Sequence, residues 1–237
     1  PRRGGAGWLI MRAGVQIGGR RLAYNDQLTS NLRPYELFGA PLAAIGASVA
    51  PLASRRGVLG GLSVTAGYAR AFALSSTDPD GMTTASTWSR LDAGVHLHAR
   101  GPGLARLGLG AGYTRIAFDV GAAATGDDLM PTVDYQAVRA GADLTVPSGS
   151  LSLSLTGGYL LILSEGAIGD AFADADSGGV DLGAGLGWRL ARHLEGRLDL
   201  GYTRIFYTLN PTPGDLRVAG GALDEFLVLG LGVAYAR

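Results

Sequence analysis

The sequence predicts an all-β fold, a closed antiparallel up-and-down transmembrane β-barrel of about ten strands. Three observations predict it. Apolar residues recur at every second position in run after run, the period of a strand with one apolar face. Hydrophobic residues make up 47% of the 237-residue chain and charged ones only 17%, with a mean hydropathy of +0.20. No run nevertheless reaches the roughly 18 consecutive apolar residues of a membrane-crossing helix. The longest candidate, Gly39 to Ala53, is broken by Pro41 and Pro51. Finally, the connections between runs alternate between short and long.

The elements follow in order. Strand one covers about Trp8 to Ala23, with Leu9, Met11, Ala13, Val15 and Ile17 on one face and Arg12, Gly14, Gln16 and Gly18 on the other. Strand two, about Leu37 to Ala50, is apolar on both faces. Its Pro41 has no N–H for a ladder and marks a bulge or the strand's outer end. Strand three is about Val58 to Leu74. Strand four, about Thr84 to Ala99, turns Leu91, Ala93, Val95 and Leu97 outward and Trp88, Arg90, Asp92, His96 and His98 inward. Strand five is about Ala105 to Phe118. Strand six, about Val133 to Val146, points Tyr135, Arg139, Gly141 and Asp143 inward. Strand seven, Leu151 to Leu163, alternates leucine with serine, threonine and glycine. Strands eight and nine cover about Val180 to Leu190 and Leu194 to Tyr207, and strand ten runs from Phe226 to the end. Eight or twelve strands follow if strand two or a long loop is misread.

Short turns fall at residues 53–56, 101–103, 147–150 and 191–193. Long connections fall near 24–36, 75–83, 119–132, 164–179 and 208–225. An even strand count puts both termini at the short-turn end, and closure is required because a sheet edge in hydrocarbon leaves backbone groups unpaired. In this pattern the whole chain, residues 1–237 as one domain, resembles the small single-chain bacterial outer-membrane β-barrel class. The resemblance implies an outer-membrane location with both termini periplasmic. The last run, Leu227, Leu229, Leu231, Val233 and Tyr235, resembles the C-terminal signal read by barrel-insertion machinery, although Arg237 stands where such signals end in an aromatic residue. Pro1-Arg2-Arg3 has no apolar run behind it, so the chain reads as mature or trimmed.

Three strands close in the same way, on Tyr68 and Arg70, Tyr113 and Arg115, and Tyr202 and Arg204. Arg21 occupies the equivalent height on strand one. An apolar stretch ending in an aromatic residue and then a cation reads as a lipid-facing wall, an interfacial girdle and a headgroup contact. Two readings of the arginines stand at this point: bidentate contact with lipid phosphate, including lipopolysaccharide, or snorkelling and pairing with loop acids.

The inward face carries Arg12, Arg90, Arg139, Arg189 and Arg197 against Asp92, Asp143, Asp181 and Asp199. Either these form a paired network that fills a narrow lumen, or they line a water-filled pore whose bore the glycines keep open. By parity Phe38, Leu42, Leu160, Ile162, Phe226 and Val228 form an apolar patch in the upper lumen, and the loop with Ile168 and Phe172 is a candidate plug. His96 and His98 share the inward face about 6.6 Å apart along the strand. They read as a hydrogen-bonded pair, because a metal site needs a third ligand that the sequence does not identify. Asp174 to Gly178 faintly resembles a calcium loop without its later ligands.

The charge balance, 20 basic against 20 acidic, leaves no nucleic-acid footprint. The basic residues are all arginine, and cysteine is absent, which excludes disulfides and thiol chemistry. No nucleophile motif is present. The histidines lie toward the short-turn end, whereas the ten-stranded outer-membrane proteases carry Asp and His near the opposite rim. The expectation is therefore a non-enzymatic structural or docking barrel without a cofactor, in contact with outer-membrane lipid and an envelope protein partner. The alternative is a narrow porin-like channel for ions or small solutes.

Overall fold

The computed structural model describes residues 8–55, 57–77, 83–100, 105–121, 132–172 and 174–237. It consists of β1 (Leu9–Asn25), β2 (Tyr35–Val49), β3 (Leu62–Ala71), β4 (Ser75–Thr77), β5 (Thr83–Arg100), β6 (Arg106–Val120), β7 (Val133–Ser148), β8 (Leu151–Ser164), β9 (Asp176–Arg189), β10 (Leu194–Thr208) and β11 (Gly221–Ala236). One short helix, α1 (Ala167–Ala171), follows β8.

Long strands adjacent in sequence pair antiparallel; β3 pairs directly with β5, and β1 pairs with β11 from Ile10↔Ala236 to Asn25↔Gly221. Of the eleven strands, ten close the barrel, while three-residue β4 only extends the wall beside the start of β5. Around the body of the barrel the ladder closes on itself, which is what hydrocarbon demands of a sheet; the strand ends left paired on one side, such as Tyr35–Pro41 of β2, lie at the long-loop end.

The alternation sorts side chains as the sequence predicts. Every long strand exposes a large apolar residue on the outer wall, among them Val15, Ile45, Val64, Val95, Leu109, Val138, Leu155, Leu182, Leu200 and Leu229. A soluble monomer exposes apolar patches of only a few hundred Å², so an apolar belt around the whole circumference requires a lipid surround. Among the described residues no helix is long and apolar enough to cross a membrane.

Several boundaries differ from the sequence expectation. The bulge in β2 lies at Gly39 (φ +88°), opposite a register shift between Gly18 and Gly19, and not at Pro41. That backbone conformation is open to glycine and closed to proline. The bulge reverses parity beyond it, so Phe38 is on the outer wall, 84% exposed, and not in the lumen. β3 starts at Leu62 because Val58–Gly61 form a 3-10 turn, which makes the β2–β3 connection longer than a tight turn. β11 begins at Gly221, before Phe226, and brings Asp224 and Glu225 out of the expected loop into the wall.

Candidate functional site

The lumen has three layers. At the long-loop end it is a hydrophobic core. Leu22, Leu42, Ile116, Phe118, Val133, Leu160 and Ile205 point inward from the upper strands and are almost fully buried. Leu32 and Leu209 close over them from two long loops, while Ile168 and Phe172 insert from α1 and its end, the plug the sequence predicts. The two loops are joined by backbone and side-chain hydrogen bonds, Leu28 N–H to the Val218 carbonyl at 2.9 Å and Asn31 Nδ2 to the Leu216 carbonyl at 2.9 Å. Trp88 and Phe226 meet across the lumen with ring centroids 5.7 Å apart.

Inside this core lies an ion pair. Arg20 Nε and Nη2 donate to Asp224 Oδ1 and Oδ2 at 3.0 and 2.7 Å, and both side chains have no exposed surface. Tyr135 Oη, from β7 across the lumen, donates to Asp224 Oδ2 at 2.7 Å. The guanidinium carbon stands 4.5 Å from the Phe118 ring centroid and 5.4 Å from that of Phe226. Such a pair is tolerated only because hydrogen bonds and aromatic faces replace its water.

Below the core is an ionic layer. Arg90 reaches from β5 to the opposite wall, with Nη2 3.1 Å from Asp181 Oδ1 on β9 and Nη1 2.9 Å from Thr203 Oγ1 on β10, while its Nε donates to Asp92 at 2.8 Å. Arg139 Nε holds the other Asp181 oxygen at 2.9 Å, and Thr114 donates to Asp92 at 2.9 Å. Lower still, Arg197 pairs with Asp199 at 2.7 Å and Glu195 at 3.2 Å. Two adjoining cavities of about 300 and 280 Å³ remain, bordered by Arg12, Gln16, Asp92, Arg197 and Asp199 and, higher up, by Trp88, Arg90 and Asp181.

The third layer is at the short-turn end. His96 Nδ1 stands 3.2 Å from Asp143 Oδ1 and His98 Nε2 stands 3.0 Å from Asp143 Oδ2. The imidazoles are stacked, 5.9 Å apart and 11° from parallel. His98 Nδ1 faces the Gly61 carbonyl at 3.4 Å. Asp143 is thus the third group that sequence spacing leaves unidentified. The carboxylates of the faint calcium resemblance do not converge in this way: Asn210 Nδ2 donates to the Asp174 carbonyl at 3.0 Å and to Asp176 at 3.3 Å.

On the outer face, Tyr68 and Arg70 are exposed, as are Arg21 and Arg115. The belt also contains carboxylates. Arg115 makes a bidentate pair with Asp134, both bonds 2.7 Å, and Tyr113 Oη donates to Gln136 at 3.1 Å. Glu225 stands in register between Arg21 and Arg204 and accepts from Tyr202 Oη at 2.5 Å.

All eleven predicted lumen residues lie on the inner face by strand parity; ten belong to these layers, and Arg189 ends β9 in register with Glu195. Sequence reasoning missed Arg20 and Asp224. Parity along β1, from Arg12 through Gly18, already places Arg20 inward, and Asp224 shares parity with Phe226, so a longer last strand would have revealed the pair.

No protein-family model matches the sequence, and no curated protein sequence matches it. Solved structures do match. Outer membrane protease OmpT from Escherichia coli aligns over 97% of this chain and 96% of its own, at 10% identity and a TM-score of 0.52. The translocator domain of autotransporter NalP from Neisseria meningitidis aligns over 100% of this chain and 90% of its own, at 14% identity and a TM-score of 0.47. Neisserial surface protein A aligns over 98% and 99%, at 11% identity and a TM-score of 0.40. The fold is that of the bacterial outer-membrane β-barrel class.

Proposed function

We propose that this chain is a closed outer-membrane barrel that serves as a structural or docking component of the cell envelope. Its short-turn end and both termini face the periplasm. Tyr68, Tyr113 and Tyr202 mark the outer-leaflet boundary, and Arg21, Arg70, Arg115 and Arg204 meet lipid headgroups there, lipopolysaccharide among them, with the long loops offered to an envelope protein partner. The observation that carries this reading is the filled upper lumen, in which the buried Arg20–Asp224 pair, Tyr135 and the surrounding aromatic rings occupy the path a solute would take. A narrow channel would need that core to move. A protease is disfavoured because His96 and His98 sit at the short-turn end, far from the loops.

The reading is tested by reconstitution in planar bilayers and by pull-down from native outer membrane. The expected results are no conductance above background and recovery of lipopolysaccharide with a stoichiometric protein. Steady unitary conductance from the unmodified chain would overturn the closed-barrel reading in favour of the channel. Replacing Arg21, Arg70, Arg115 and Arg204 together is expected to weaken lipopolysaccharide association. Unchanged association would remove the belt's lipid role and leave the arginines as partners of Asp134 and Glu225.

A further inference from the structure

We propose that His96, His98 and Asp143 form a binding site for a divalent first-row transition-metal ion, Zn²⁺ foremost, at the short-turn end of the lumen. The site is built by three neighbouring strands. In register, His98 of β5 lies beside Gly108 of β6, which lies beside Asp143 of β7, and His96 lies beside Gly110. The two glycines leave the middle strand without side chains, so groups two strands apart meet above it. A Cβ at Gly110 would stand 2.6 Å from His96 Nδ1, and one at Gly108 would overlap both Asp143 carboxylate oxygens. The glycines are therefore the floor of a cradle fitted to these three side chains.

The geometry suits a metal. One ligand atom from each residue lies within 4.8 Å of the others, and the two nitrogen–oxygen separations are 3.2 and 3.0 Å. Ligands about 2.0–2.1 Å from a tetrahedral zinc stand about 3.3 Å from one another, so small side-chain rotations complete the polygon. The cluster is only partly covered, with side-chain exposures of 22%, 31% and 14% for His96, His98 and Asp143. Lumenal water can take the fourth position.

The hydrogen bonding around His98 is compatible with a ligating imidazole. The Gly61 carbonyl, 3.4 Å from Nδ1, can only accept, so it takes the ring proton on Nδ1 and leaves the Nε2 lone pair 3.0 Å from Asp143 Oδ2. That contact is held either by a second ring proton, on Nε2, or by a metal cation between the two atoms. A backbone carbonyl that fixes the tautomer of a ligating histidine is the usual outer partner of a metal site. That carbonyl belongs to the 3-10 turn Val58–Gly61, so the turn's docking under β5 orients the ligand. Two imidazoles and one carboxylate select zinc, copper, nickel, cobalt or iron over calcium or magnesium, which take all-oxygen sites. A bound ion ties β5 to β7 across β6.

The test uses the full chain folded in detergent, purified without a histidine tag. Titration with Zn²⁺ by calorimetry and with Co²⁺ by visible absorption is expected to give one site per chain, and Ca²⁺ is expected to give none. Removing a second-shell partner typically costs about 10–100-fold in affinity, so His96→Ala, His98→Ala and Asp143→Asn should each lower Zn²⁺ affinity at least that much. His193→Ala should change nothing, and Zn²⁺ should raise the unfolding temperature only where all three ligands are present. Electron paramagnetic resonance of Cu²⁺ on the unmodified chain supplies a readout that needs no variant to fold, with splitting from two imidazole nitrogens expected. Silent titrations at millimolar Zn²⁺ and Co²⁺, or binding unchanged in folded His98→Ala, would overturn the proposal and leave a proton shared by a His–Asp–His cluster. Neither result bears on the closed-barrel reading, which conductance tests separately.

Discussion

Replacing Asp224 by Asn removes one charge from the buried pair and leaves its volume in place. Arg20 then keeps its charge with no exposed side-chain surface and no carboxylate at 2.7 Å. Removing one partner of a buried pair costs up to about 3–5 kcal/mol, because the remaining charge loses the carboxylate that faced it. Arg20→Met leaves the carboxylate uncompensated and falls in the same range. The double variant Arg20→Met/Asp224→Leu removes both charges, and a methionine sulfur retains a contact with the Phe118 ring that now lies 4.5 Å from the guanidinium carbon. Its losses include the acceptor of Tyr135, about 1–3 kcal/mol for a buried hydroxyl left without a partner. The double variant is therefore expected to fall well short of the singles' sum of up to about 6–10 kcal/mol, a coupling of several kcal/mol. The assay is denaturant unfolding in lipid vesicles, followed by the fluorescence of buried Trp88 beside Phe226 and by electrophoretic mobility of the folded barrel. Asp224→Asn costing under about 1 kcal/mol would refute the claim that the pair is sealed from water. So would a double variant as unstable as the two singles added.

Gly158→Val should cost about 1–3 kcal/mol by overpacking, because a Cβ there stands 2.9 Å from Arg139 Cζ and 3.0 Å from the Ala140 carbonyl. Gly157→Ala, whose Cβ would meet only Leu182 at 3.6 Å, should shift the denaturant midpoint far less. Leu155→Arg on the outer wall of β8 should destabilise the vesicle-embedded barrel by about 2–4 kcal/mol, and an effect near zero would mean that Leu155 does not face hydrocarbon. The Arg115–Asp134 pair, exposed at 49% and 34%, should show a double-mutant coupling of about 0.2–1 kcal/mol that shrinks in high salt.

The outer wall was legible because lipid imposes one rule on every strand. Leu151 to Leu163 needed only its period of two to be assigned to a strand with its leucines outward. The lumen was legible by parity wherever strand ends were read correctly, which covers Arg90, Asp92, Arg139 and Asp181. It failed at three kinds of place. Gly39 inverts parity through one backbone angle, and a glycine in a run of glycine, alanine and proline announces no bulge. Asp224 and Glu225 look like loop acids, because a carboxylate at a strand end is polar whether it faces water or a buried arginine. Asp143 was read as a lumen acid, but its meeting with His96 and His98 depends on registers between strands, which alternation along a single strand does not contain.

Those registers also change what the inward glycines mean. If glycines only widened a bore, the side chains beside them would have no reason to be complementary across them. Around this lumen they are complementary. Gly158 on β8 is in register with Asp181 on β9, and the Arg139 guanidinium from β7 lies over it, 2.9 Å from where a Cβ would stand, to pair with Asp181 at 2.9 Å. Gly185 on β9 lies between Ser154 on β8 and Asp199 on β10, and Arg197 Nη2 reaches both, at 3.5 and 2.7 Å. Gly108 and Gly110 lie between the two histidines and Asp143. Each glycine removes one side chain so that two others can lie flat against the wall and meet two strands apart. In a barrel this narrow the closing contacts cannot all cross the axis, as Arg90 does, so many must run around the circumference, and a Cβ on the intervening strand would stand in their way. The glycines and the lumen charges are therefore one device. The ionic layer and the His–Asp cluster are two products of it, one filled by arginine and the other shaped for a metal ion.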